Sequence, residues 1–178
     1  NNQLVRYGGD MAVGAFGIAY SIAMIFVMFI IGLDQGMQPI AGYNYGSQQN
    51  DRLMRVLKLT IFAATGIMVT AWLIAHLAPQ YCARMFTTNP ELIQQAIKAI
   101  KINMMMYPIV GFQMVVTNFF QCIGKVKISI FLSLSRQLLF LIPLLIILPN
   151  FFDLDGVWAS LPSSDFLASL VAAIILVT

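Results

Sequence analysis

Residues 11–33 read MAVGAFGIAYSIAMIFVMFIIGL, a run of 23 residues without a charged side chain. A helix needs about 20 such residues to cross the hydrocarbon core of a bilayer. The run leads into DQGMQPIAGYNYG at 34–46, which places a carboxylate, two glutamines and a proline at membrane depth or just beyond it. We therefore predict a membrane-spanning chain, and Asp34 is its first candidate for a functional residue.

The composition of the whole chain is that of a membrane protein. Of its 178 residues, 60% are hydrophobic and 10% are charged, whereas soluble domains carry roughly 25% charged residues. Charge-free runs predict five crossings, at about 11–45, 55–80, 92–123, 128–149 and 157–178. No run alternates polar and apolar residues as a membrane β-strand does, so the predicted fold class is an all-α membrane protein, a polytopic helical bundle.

Several function classes are not expected for this chain. The formal net charge is +3, but the basic residues are scattered along apolar helices, so the predicted partner is the lipid bilayer and not a nucleic acid. Cys82 and Cys122 have no metal-ligand spacing, and no metal or cofactor is predicted. With a single histidine, His76, and no nucleophile and base pattern, an enzyme is also not expected.

The basic residues of the loops predict the orientation in the membrane. One side holds Arg52, Arg55, Lys58, Lys125 and Lys127, and the other holds Arg6, Arg84, Lys98 and Lys101. The positive-inside tendency makes the first side cytoplasmic, so residue 1 is expected outside. The chain has no starting Met, and residues 1–10 are interpreted as the end of a truncated preceding helix.

Helical angles divide the stretch from 32 to 46 into two faces. Small residues and a proline form one stripe, which is expected to pack on a neighbouring helix: Gly32, Gly36, Pro39, Gly42 and Gly46. The opposite face is the candidate cavity lining and holds Asp34, Gln38, Ala41 and Tyr45. Pro39 lacks an N–H, so Pro39 with Gly36 and Gly42 is the expected bending element.

The third predicted span carries a row of polar side chains. Asn103, Tyr107, Met114, Thr117 and Gln121 share one side, with Asn118 at its edge. The row either hydrogen-bonds to other helices or forms part of a substrate wall. Before this span, Asn89 is expected to cap a helix in which Pro90 takes the first position.

Asp34 and Arg136 are the two ionic residues predicted deep in the membrane. Asp34 either contacts a coupling ion or substrate, or it pairs with Gln38 or with Arg136, which lies at comparable depth in the fourth span. Arg136 could otherwise extend its head group to the interface. The sequence leaves these alternatives open.

Four stretches together resemble the multidrug and toxic compound extrusion (MATE) family, over nearly the whole chain. They are GMQPIAGYNYG at 36–46 followed by Arg52, NFFQCIGKVK at 118–127, SRQLLFLIP at 135–143 and GVWASLPSSD at 156–165. The resemblance implies a transporter of two six-helix lobes. Residues 1–178 are similar to the C-terminal lobe, with about five of its six helices, and the partner implied is an N-terminal lobe of the same chain.

The resemblance implies secondary active multidrug efflux of cationic or amphipathic compounds, by sodium- or proton-coupled antiport across a bacterial cell or inner membrane. Family members couple ions through carboxylates in their first helix, or in the seventh and tenth, but 102–124 has no Asp or Glu. Coupling is thus left to the missing N-terminal lobe, to the missing part of the seventh helix or to Asp34. The expected cavity wall consists of Asp34, Gln35, Gln38, Tyr107, Asn118 and Gln121. Alternatives are a flippase for lipid-linked precursors and a non-transporting helix-bundle subunit.

Overall fold

The computed structural model describes residues 2–177, without the side chains of residues 2, 3 and 7. Every regular element in this range is helical. The elements are α1 (Asn2–Gly46), α2 (Asn50–Leu77), α3 (Pro79–Arg84), α4 (Pro90–Asn103), α5 (Tyr107–Cys122), α6 (Val126–Leu134), α7 (Ile142–Ile147) and α8 (Pro149–Val177). A π-helical segment, Ser135–Leu141, joins α6 to α7.

Four stretches are long and apolar enough to cross a membrane: Gly8–Gly46, Asn50–Leu77, Val126–Ile147 and Pro149–Val177. A fifth crossing arises if α4 and α5 form one span, although they meet at a bend of 53°. The all-α bundle of about five membrane helices that the sequence predicts is therefore confirmed.

The bend between α4 and α5 has a local cause that the sequence contains. Pro108 cannot donate a backbone hydrogen bond, and its ring crowds the carbonyl of the residue four positions earlier, Met104. The α-helix accordingly ends at Asn103 and begins again at Tyr107. The bend turns the polar residues of α5 away from the axis of α4.

α1 is interrupted at one point and continues through its proline. Gly9 has a φ of 63° and a ψ of −165°, a conformation open to glycine because it lacks a Cβ. Pro39 lies within the helical part that follows, where the dihedral angles stay helical. The bending role of Pro39, Gly36 and Gly42 stays a prediction.

The glycine stripe of α1 does not pack as the sequence predicted. A Cβ built at Gly32, Gly36 or Gly46 would meet nothing within 4 Å, and one at Gly42 meets only the Cys122 carbonyl at 3.8 Å. Within the described residues, the prediction that this stripe packs on a neighbouring helix is therefore wrong. The buried face of this part of α1 holds larger side chains, which gain more contact area on burial: Ile30, Asp34, Met37, Ala41 and Asn44.

The start of α4 is capped as predicted. The Asn89 side-chain oxygen accepts hydrogen bonds from the backbone N–H groups of Glu91 at 3.0 Å and Leu92 at 3.5 Å. Pro90 takes the first helical position, where no N–H is needed.

We expect Asn89→Ala to lower the free energy of unfolding by about 1 kcal/mol, because two N–H groups lose their acceptor. Denaturant unfolding of the intact protein in detergent micelles measures the change. Asn89→Asp keeps an acceptor and should retain most of the stability. An equal loss in both variants would mean that the cap does not stabilise α4.

Candidate functional site

A polar cavity of about 320 Å³ lies between α1, α5, α6 and the π-helical segment that joins α6 to α7. Its opening is marked by three exposed side chains, Gln121, Ser133 and Gln137. The full lining is Asp34, Gln113, Met114, Thr117, Asn118, Gln121, Ser129, Ser133, Arg136 and Gln137. Three membrane helices thus direct polar groups into one space, which we call the Asp34 cavity.

Asp34 is the buried acid of this cavity. Its side chain is 5% exposed, and its Oδ1 atom has no hydrogen-bond partner among the described residues. Gln113, 3% exposed, has an equally unpartnered Oε1 atom. The oxygen of an ionised carboxylate and the oxygen of an amide both accept hydrogen bonds. The cavity therefore presents acceptors that a cation or an N–H group of a ligand would satisfy.

A hydrogen-bonded connection joins α1 to α5 beside the acid. The Gln38 Nε2 group donates to Asn118 Oδ1 at 3.2 Å. The Asn118 side chain lines the same cavity as Asp34. Asn118 therefore holds the two helices together at the depth of the carboxylate.

Arg136 lines the same cavity but forms its ion pair elsewhere. Its Nε lies 2.7 Å from Oδ1 of Asp165 in α8, and the two side chains are 34% and 6% exposed. The pairing of Arg136 with Asp34, left open by the sequence, is not found. Since Asp165 already balances the guanidinium, the Asp34 carboxylate has no ionic partner among the described residues.

The structure brings together only part of the predicted wall. Asp34, Asn118 and Gln121 line the cavity, and Gln38 is bonded to its edge. Gln35 is exposed outside the lining, and Tyr107 is buried near the bend between α4 and α5. The contact of these residues with a substrate stays a prediction.

Sequence reasoning did not select several lining residues. Ser129, Ser133 and Gln137 recur every four residues in the fourth span, a spacing that places them on one helix face and could have identified them. Gln113 stands four residues before Thr117 and could have joined the polar row. Asp165 lies near the start of the last predicted span, and nothing local in the sequence connects it to Arg136.

Metal ligands do not cluster here: no group of three His, Cys, Asp or Glu side chains within residues 2–177 could share an ion. What the geometry offers is a desolvated carboxylate beside amide and hydroxyl groups. This arrangement suits the recognition of cations, because ionic attraction is stronger where water is excluded. The fold and the cavity together define a polytopic α-helical membrane protein with a polar cavity that contains a buried carboxylate.

The MatE family model matches residues 2–147. The chain belongs to the MATE family of membrane transporters. It is 25% identical over 174 residues to the multidrug export protein MepA of Staphylococcus aureus strain bovine RF122 / ET3-1, and 23% identical to MepA of Staphylococcus haemolyticus. Each alignment covers 98% of this chain and 38% of the relative. The chain thus spans less than half the length of these curated relatives.

Solved structures of the same family have the same fold. The MATE multidrug transporter DinF-BH in complex with R6G is 39% identical, with a TM-score of 0.86 over 99% of this chain and 40% of that chain. An outward-facing MATE family transporter of the MOP superfamily gives a TM-score of 0.88 at 23% identity, over 98% of this chain and 40% of its own.

Proposed function

We propose that the chain is the C-terminal lobe of a multidrug exporter that moves cationic or amphipathic compounds across a bacterial cell membrane. Two similarities support the proposal: MepA is a multidrug export protein, and the DinF-BH structure contains R6G. The coverage of 38% of MepA leaves room for an N-terminal lobe in the intact protein. The observation that carries the proposal is the buried Asp34 carboxylate, which forms no ion pair with a basic side chain of the described residues.

The charge of the cavity favours a cationic substrate. A carboxylate that has lost its water and has no ion-pair partner gains most from a positively charged ligand. A flippase for lipid-linked precursors would need free positive charge for phosphate groups, but the guanidinium of Arg136 is already held by Asp165. The Asp34 cavity therefore supports drug export over precursor export.

Coupling to a sodium or proton gradient follows from the same carboxylate. One carboxylate cannot bind a coupling ion and a cationic substrate at the same time, so binding of one displaces the other. This competition would exchange the ion for the substrate across the membrane. The lobe would carry the occupied site by rocking against its partner lobe. Pro39 removes one backbone hydrogen bond of α1 just beyond Asp34, and we place the accompanying bend there.

Asp34→Asn tests this function in the intact protein. We expect efflux of a fluorescent organic cation, measured in cells with an imposed ion gradient, to fall about tenfold, the effect of losing one charged contact of roughly 1.4 kcal/mol. Asp51→Asn is the matched control, because Asp51 is an exposed acid on α2 outside the Asp34 cavity. Unchanged efflux in Asp34→Asn, at equal protein levels, would refute the role of the acid.

A further inference from the structure

A second cavity, of about 460 Å³, lies between the first turns of α4 and the start of α8. Its lining is Gln94, Gln95, Lys98, Phe152, Asp153, Leu154, Asp155 and Trp158. It shares no residue with the Asp34 cavity and lies toward the other end of the bent pair formed by α4 and α5. Its volume is within the range of small-molecule sites. We call it the Trp158 cavity.

Two buried polar atoms of this cavity lack partners. Trp158 is 1% exposed, and its Nε1 group finds no acceptor among the described residues. Gln95 has a buried Oε1 atom that accepts no hydrogen bond there. A buried polar group without a partner costs about 1–3 kcal/mol, so a donor and an acceptor left open in one cavity indicate a ligand with both functions.

Charged side chains stand around these atoms. The Nζ of Lys98 lies 2.7 Å from Oδ2 of Asp155, which links α4 to α8. Asp153 is exposed at the break of α8, with a φ of 48° and a ψ of −129°. Because the charges of Lys98 and Asp155 balance each other, the net negative charge of the cavity lining comes from Asp153.

We propose that the Trp158 cavity binds organic cations that carry both an N–H group and a hydrogen-bond acceptor. The cation faces Asp153, the acceptor takes the Trp158 Nε1–H and the ligand N–H donates to Gln95 Oε1. The ring of Phe152, 66% exposed, covers the apolar part of the ligand. The loop charges predict that this end of the bundle faces outside, so the site would meet ligands at the outer surface. The inference does not rest on the role of Asp34.

The test measures binding of R6G to the intact protein in detergent by fluorescence anisotropy. R6G is a suitable probe because this cation carries amine N–H groups and an ester carbonyl. All variants are made in an Asp34→Asn background, so that binding at the Asp34 cavity changes none of the comparisons. Trp158→Phe removes the N–H together with the second ring of the indole and keeps an aromatic side chain, and Asp153→Asn removes the charge from an exposed position.

We expect Trp158→Phe and Asp153→Asn each to weaken R6G binding about fivefold, the range of one lost hydrogen bond or charged contact. The control Asp51→Asn should bind as the background does. Binding unchanged in both test variants would overturn the proposal and leave water as the partner of Trp158. If Trp158→Phe fails to fold, the exposed Asp153→Asn decides alone. A failure of Asp34→Asn to alter efflux would concern only the proposed function.

Discussion

Asp165→Ala is expected to lower the free energy of unfolding by about 3 kcal/mol, because it leaves the Arg136 guanidinium without its partner inside the bundle. Asp165 is 6% exposed and receives the Arg136 Nε at 2.7 Å, so its removal exposes a positive charge to an apolar environment. The side chain of Arg136 is 34% exposed and regains some water, which places the loss at the lower end for buried pairs. Denaturant unfolding in detergent measures it.

The double variant Arg136→Met with Asp165→Leu distinguishes the stability contributed by the ion pair from the cost of leaving one charge unpaired. With both charges replaced by apolar side chains of similar size, we expect most of the stability to return. Asp155→Ala is the matched control, because its pair with Lys98 is exposed and such pairs contribute about 0–1 kcal/mol. If Asp165→Ala and Asp155→Ala lower the free energy of unfolding equally, the buried pair stabilises the protein no more than the exposed pair does.

Gly156→Ala is the second large change we expect. A Cβ at Gly156 would lie 2.6 Å from the Leu148 carbonyl carbon and 2.8 Å from the Pro149 nitrogen, and both are backbone atoms that cannot rotate away. The part of α8 that follows its break at Asp153 must then move away from Leu148 and Pro149, where α7 meets α8. We expect a loss of about 3 kcal/mol, the upper part of the range for overpacking. Thermal unfolding of the intact protein in detergent measures it.

Gly66→Ala provides the matched comparison. Gly66 also lies within a membrane helix, but a Cβ there would meet nothing within 4 Å. A methyl group at this position should leave stability unchanged or raise it by about 0.5–1 kcal/mol, because alanine restricts the unfolded chain. Loss of stability in Gly66→Ala, or none in Gly156→Ala, would contradict the close approach inferred from the backbone.

The sequence predicts the class of fold because hydropathy is a local property. The run 11–33 alone is long enough to require a membrane helix, and the Asn89–Pro90 cap is a matter of neighbouring residues. The family resemblance is confirmed by the match over 2–147. The assignment to the C-terminal lobe and the transport roles of the site residues stay predictions.

Contacts between distant parts of the chain were harder to predict. The partner of Arg136 lies 29 residues away in another helix, and equal depth in the membrane favoured Asp34 just as well. Helical angles correctly separate the glycines from Asp34, but angles alone cannot say which face meets a neighbour. The sequence did not predict the bend before Tyr107, because the charge-free run 102–124 continues through Pro108.

The glycine face of α1 is open, so substitutions on it test for contacts with molecules or segments outside the described residues. A methyl group at Gly32 or Gly36 touches no atom of the described chain within 4 Å, so Gly32→Ala and Gly36→Ala disturb no internal packing there. Any defect that these variants cause must come from a surface outside the described residues or from a change of conformation. Substitutions along this one stripe thereby report what covers this face of the helix.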